Sequence, residues 1–351
     1  MIDIAAPQEV ATPVSHEPPP PVVILNLLSG MMTARAVQVA ANLGIADLLQ
    51  DGPQSVTALA EATGTHAPSL YRLLRALASL GLFSEVDAGI FAQTTLSTFL
   101  ASDVHGSMRD MARMWGDSWR WRAWGDLAYS IQTGRPAFDH LHGKNLWEYF
   151  AEDDPAAGRL FSMAMTSFSE GVTGPVVTAY DYSAFNTVVD IGGAHGGLIR
   201  AILRLNPAVR GILFDLPPVI QGARDRIAED GLTDRCALVA GDFFAEVPAG
   251  ADAYMMKFIL HDWDDDHCVQ ILRNCRRAIV PTGLVLVVDQ VLAPGNAPSF
   301  GKILDLEMLT ILTGRERTEA EFAALFQAGG FRLTRVVPTA SPLSIIEGVP
   351  D

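Results

Sequence analysis

Residues 187–200 read TVVDIGGAHGGLIR, and the way this stretch folds decides how the rest of the chain is arranged. The run Val188–Val189–Asp190–Ile191 predicts a strand. Gly192, Gly193, Gly196 and Gly197 predict a tight turn, and Leu198, Ile199, Ile202 and Leu203 then fall at helical spacing. Glycine accepts φ > 0 and lets a ligand approach the backbone. The first N–H groups of a helix starting there are free to meet that ligand. A second apolar run, Gly211 to Phe214, ends at Asp215. A strand-end carboxylate about 20 residues past the glycines is where dinucleotide folds meet a ribose. The register departs from G-x-G-x-x-G, so on these residues alone a βα turn without a ligand remains an alternative.

Outward from that turn, strands and helices alternate. Strands are expected at Thr187–Ile191, Gly211–Asp215, Cys236–Ala240, Ala253–Lys257 and Gly283–Asp289, with helices near 197–205, 217–230 and 265–279. Such alternation implies a doubly wound, mostly parallel α/β sheet. Phe331–Val337 and Ser344–Ile346 are expected to close it as an antiparallel pair. Ligands of such a sheet sit at the strand C-termini. Here those ends carry Gly192, Asp215, Asp242, the stretch after Lys257, and Asp289.

Upstream, residues 1–21 are proline-rich and read as an extended or disordered tail. Residues 22–110 alternate helix and turn. Leu25, Leu28, Met32, Ala36 and Val39 share a helical face; Ser55 caps one helix, Gly64 stops it, and Pro68 opens the next. Leu82–Phe83 and Ile90–Phe91 then suggest a hairpin, which completes a winged helix. Its second helix offers only Arg72 and Arg75, so dimerisation is a better reading than DNA binding. Residues 111–175 form a helical connector rich in tryptophan, methionine and phenylalanine. Core packing is the plain reading of these side chains, and a pocket for a flat aromatic ligand is the alternative. Gly171 and Gly174–Pro175 predict a break before a final domain, 176–351.

The net charge of −15 disfavours nucleic acid. No run of 18 uncharged apolar residues occurs, and no basic n-region opens the chain, so neither a membrane span nor a signal peptide is expected. Cys236, Cys268 and Cys275 fit neither a disulfide framework nor a zinc site, and a cytoplasmic protein is the simple reading. Asp262, Asp264, Asp265, Asp266 and His267 open a helix. Consecutive side chains diverge, so helix capping is expected there rather than metal ligation.

GILFDLPPVI, VAGDFFAEVP, MMKFILHDWDDDHCVQILRNC and GRERTEAEF resemble the motifs of the small-molecule O-methyltransferases of the plant caffeate/flavonoid and bacterial polyketide type. The resemblance covers residues 22–347. It implies a Rossmann-like methyltransferase sheet with a winged-helix dimerisation domain, S-adenosylmethionine as cofactor, and a homodimer. Matched residue by residue, it implies that Gly192, Gly193, Asp215, Leu216, Asp242, Phe243 and Lys257 surround the cofactor. His261 matches the general base, and Asp289 and Glu316 match the acidic pair beside it. Phe161, Met165, Phe168, Phe258, Met308 and Leu312 match the acceptor pocket. Ala194 replaces the third glycine of the family's run, while Phe168 and Leu312 replace polar residues of lignin-type members. The implied reaction is metal-free methylation of a phenolic hydroxyl on an aromatic natural product. Family members that decarboxylate, hydroxylate or catalyse a pericyclic step are one alternative, and a winged-helix regulator is another.

Overall fold

A computed structural model describes residues 18–351. Residues 1–17 of the expected tail lie outside it, and the first helix, α1, already begins at Pro20 (Pro20–Asn42). The structural core is a sheet of seven strands: β1 (Thr187–Ile191), β2 (Arg210–Asp215), β3 (Cys236–Ala240), β4 (Ala253–Lys257), β5 (Leu284–Asp289), β6 (Phe331–Pro338) and β7 (Ser344–Pro350). Their order is β6-β7-β5-β4-β1-β2-β3. The first five are parallel, and β7 and β6 close the edge antiparallel. Apolar residues line both faces, as a sheet covered by helices on each side requires. The strand order reverses between β1 and β4, which opens a crevice at their carboxyl ends.

The N-terminal unit folds as its turn residues predict. Ser55 accepts the Ala58 N–H at the start of α2 (Val56–Thr63), Gly64 ends it with φ +63°, and Pro68 lies in the first turn of α3 (Ala67–Ser79). Ile45, Leu59, Leu70, Leu74, Leu77, Phe83 and Phe91 form its core. The wing has three strands rather than two, because Gln54–Ser55 adds to the hairpin through Phe91 and Ile90. α1 projects Leu25, Leu28 and Met32 into solvent, each about two-thirds exposed. By length and hydropathy alone, α1 is apolar enough to cross a membrane; Arg35, counted as a charge in the sequence, does not prevent that.

One expectation needs correction, while the plain reading of the tryptophans as packing residues holds. No break occurs at Gly171 or Gly174–Pro175. One helix runs Pro155–Thr178, through both glycines and the proline, because Val172, Val176 and Val177 are buried on its inner face. Tertiary burial overrides the local breakers, and the expected boundary at 175/176 falls inside a helix. The four clustered tryptophans chiefly pack. Trp119 is buried against Phe138 and Phe150, Trp115 stacks on Phe300, Trp121 lies under Arg35, and Trp124 bonds Glu307. The helix Pro155–Thr178 is α4 below. The sheet helices are α5 (Gly197–Leu205), α6 (Pro217–Glu229) and α7 (Asp265–Ala278), close to expectation. Two more, α8 (Phe300–Ile311) and α9 (Glu319–Gly329), are not apparent from the sequence pattern.

Candidate active site

The glycine turn after β1 is tightly constrained. Gly192 has φ +64°, and a Cβ on Gly193 would lie 2.6 Å from Asp190 Oδ2. Ala194 adopts φ +50°, a region that favours glycine, at a cost of about 1 kcal/mol. Its N–H donates to Asp215 Oδ2 at 2.8 Å, so the turn is tied to the carboxylate at the end of β2. Asp215 Oδ1 accepts the Leu216 N–H, and both oxygens retain acceptor capacity. Burial raises the Asp215 pKa against these bonds. Asp242, after β3, is exposed and accepts the Phe244 N–H; Phe243 lies beside Gly192. The predicted cofactor residues Gly192, Gly193, Asp215, Leu216, Asp242 and Phe243 therefore gather at the ends of adjacent strands. This cradle offers the carboxylate oxygens of Asp215 and Asp242 and the ring of Phe243, groups that can hold the hydroxyls and base of a nucleoside.

Lys257, at the end of β4, turns instead toward α4. Its ammonium donates to Thr173 Oγ1 at 2.9 Å and to Ser169 Oγ. Burial lowers its pKa to about 8 against the attraction of Asp190 and Glu170. The next residue, Phe258, has φ +58°, and the one after it, Ile259, packs over Gly192.

His261 sits on a short 3₁₀ turn, Leu260–Asp262. Glu316 reaches it by way of a two-strand ribbon. Val291–Leu292, just past Asp289, pairs in parallel with Arg317–Thr318. Glu316 Oε1 lies 2.8 Å from His261 Nδ1, and Asp262 Oδ1 lies 3.4 Å from Nε2. Asp289 is fully buried, and neither of its oxygens has a hydrogen-bond partner among the described residues. It acts on His261 through its charge rather than a bond. Burial opposes the imidazolium, but Asp262, Glu316 and Asp289 outweigh it and push the His261 pKa up to about 10. Burial pushes Asp289 up to about 7 and Asp262 up to about 6, so protons are shared within the cluster.

Two positioning features are hidden in the sequence. Arg317, also buried, donates to the carbonyls of Leu260 and Trp263 and to Asp265, which clamps the histidine turn. At Gly314 a Cβ would lie 1.9 Å from the His261 carbonyl, so only glycine lets the Glu316 loop come this close. Asp262 contributes to the site, contrary to a capping role for the whole acidic run. Asp264 does cap α7, accepting the His267 N–H, and Asp265 pairs with Arg315 and Arg317.

Above the cradle, the Phe168, Phe258 and His261 rings follow one another at 5.6 and 5.4 Å. Phe161, Met165, Phe168 and Leu312 pack on one cluster with Met111, Phe150 and Ile311, and Met308 is buried one turn before Leu312 on α8. These predicted acceptor residues are all apolar, and the Phe258 ring is the one that leads to His261.

Comparison with known proteins identifies the family. Residues 25–103 match the O-methyltransferase dimerisation domain, and residues 124–332 match the O-methyltransferase domain. The phenazine O-methyltransferase PhzM of Lysobacter antibioticus is 48% identical over 328 residues, 93% of this chain and 96% of that protein. NcsB1 of neocarzinostatin biosynthesis, solved with S-adenosylmethionine and 2-hydroxy-5-methyl naphthoic acid, superposes with a TM-score of 0.80 at 34% identity, over 96% of this chain and all of that one. The aclacinomycin 10-hydroxylase RdmB of Streptomyces purpurascens is 35% identical over 89% of this chain and 84% of its own. The chain belongs to the O-methyltransferase family and is an S-adenosylmethionine-dependent O-methyltransferase.

Proposed function

We propose that this enzyme methylates a phenolic hydroxyl of an aromatic natural product, as a cytoplasmic homodimer, without a metal and with His261 as general base. The observation that carries the reading is the His261–Glu316 pair, buried at the foot of an apolar aromatic wall and beside the cofactor cradle. S-adenosylmethionine supplies a methyl already activated on sulfur. The chain therefore has to align the acceptor oxygen and remove its proton. A phenol with a pKa of about 10 keeps its proton at neutral pH. Glu316 fixes the imidazole by Nδ1, so Nε2, with Asp262 Oδ1 3.4 Å away, is the nitrogen that takes the phenolic proton. The carboxylates around the ring stabilise the imidazolium that results. Gly192, Gly193, Asp215, Leu216, Asp242 and Phe243 would hold the cofactor, with Lys257 beside them.

Phe168 and Leu312 make the acceptor wall apolar and so favour a fused-ring phenol over a small hydroxycinnamate. The test is incubation with methyl-labelled cofactor and a panel of hydroxyphenazines, hydroxynaphthoates and phenylpropanoids, read by mass. A gain of one methyl on oxygen is expected. His261→Ala should lower kcat by about 10²–10⁴ while leaving S-adenosylhomocysteine affinity intact. Equal activity in that variant would remove His261 from the mechanism. Cofactor binding without transfer to any acceptor would shift the reading toward a non-methylating reaction.

A further inference from the structure

α4 presents two neighbouring stripes. Phe161, Met165 and Phe168 fall at i, i+4 and i+7 and form part of the acceptor wall. Thr166, Ser169 and Thr173 fall at i, i+3 and i+7, and all three make polar contacts with the cofactor side of the sheet. Thr166 Oγ1 lies 3.4 Å from Nδ1 of His195, inside the glycine turn. Ser169 and Thr173 accept from Lys257 at the end of β4. β1 and β4 are the adjacent strands at which the sheet order reverses, so both ties end on the crevice.

The helix they hold is intrinsically weak in its second half. Gly171 and Gly174 each cost about 1 kcal/mol relative to alanine. Pro175 has no N–H with which to close a helical bond. That half of α4 depends on tertiary contacts for its order, and its polar ones run from Ser169 and Thr173 to Lys257 and from the exposed Glu170 to Arg226, with Thr166 reaching His195 one turn earlier.

We propose that Ser169 and Thr173, acting through Lys257, and Thr166, acting through His195, are positioning residues that couple cofactor occupancy to the order of the acceptor wall. The inference rests on the cofactor placement proposed above. A cofactor seated on the glycine turn restrains His195 within it and, through Asp190 beneath Gly193, the ammonium of Lys257, and through these Phe161, Met165 and Phe168. By linkage, the acceptor then tightens cofactor binding to the same degree.

Amide hydrogen exchange of the full chain, with and without saturating S-adenosylhomocysteine, tests this, alongside calorimetry on the same samples. In the wild type, exchange across 161–178 is expected to slow by about tenfold or more on binding. In Ser169→Ala/Thr173→Ala, slowing should be confined to 187–197 while affinity stays within about threefold. Alanine is the better helix former, so lost protection there does not reflect weaker helix propensity. Ser169→Thr/Thr173→Ser keeps both hydroxyls and should restore the response, and Thr166→Val should weaken it separately. An unresponsive 161–178 in the wild type overturns the inference whatever the variants do. Full slowing in a triple variant that combines Thr166→Val with the two alanines also overturns it. No calorimetric binding, or binding without slowing at 187–197, overturns the cofactor placement instead.

Discussion

His261 is surrounded by more negative charge than a single ion pair would supply, and this has a consequence for pH dependence. With His261 as the proposed base, a protonated imidazole cannot accept the phenolic proton, so kcat/KM is expected to fall as pH falls through the His261 pKa. That pKa is raised to about 10, so kcat/KM should still be climbing with pH above neutrality rather than levelling near the ordinary histidine value. Glu316→Gln removes a charge that favours the imidazolium and should move this limb to lower pH, which a kcat/KM profile would reveal. Asp289 behaves in the opposite sense. Its folded pKa is raised to about 7, so its contribution to stability is greatest below the unfolded carboxylate pKa and is lost as pH rises toward the folded value. Asp289→Asn should therefore raise the melting temperature at pH 8 more than at pH 4, at the expense of activity. An equal shift at both pH values would show that Asp289 is not the buried acid described.

At the scale of elements, the site depends on a close approach that a single methyl group would prevent. Gly314→Ala places a carbon inside contact distance of the His261 carbonyl, so the loop bearing Glu316 must retreat. A displacement of about 1 Å at a catalytic group costs roughly a hundredfold in rate. kcat should fall on that order with cofactor affinity unchanged, as steady-state kinetics and calorimetry on one preparation would show. The sequence and the structure agree best where local and tertiary forces coincide. Each parallel strand is a short apolar run that ends in aspartate or lysine or just before a glycine, and its bounds shift by a residue at most. His261 and Glu316 are recognisable from their motifs and do meet. The disagreements have physical causes. Gly171 and Gly174–Pro175 locally signal a break, but burial of Val172, Val176 and Val177 carries α4 through it. Lys257 is correctly placed at a strand end, yet which element its flexible stem engages depends on α4, far away in sequence. Asp262 and Arg317 acquire their roles from a 3₁₀ turn and a two-residue ribbon too short for any periodicity to reveal.

For the whole molecule, the exposed apolar face of α1 requires a covering. Leu25, Leu28 and Met32 lie in open solvent in one chain, inside the span that matches the dimerisation domain. Burying one such leucine contributes about 1.5–3 kcal/mol. Leu25→Glu with Leu28→Glu should convert a dimer to monomer by light scattering. An unchanged mass would place the interface elsewhere, and vesicle flotation of the wild type would direct α1 to lipid instead.

The reversal of strand order between β1 and β4 has a further consequence. In the proposed function the methyl-donor cradle follows β1 and His261, as base, follows β4, on neighbouring strands whose spacing of about 4.8 Å is set by backbone hydrogen bonds. On that proposal the distance that matters for reaction is built into the sheet ladder, while the acceptor would meet side chains on α4 and at the end of α8. Exchange of Phe168, Met308 or Leu312 would then change which aromatic skeleton is accepted while the strand spacing beneath stays as the ladder sets it.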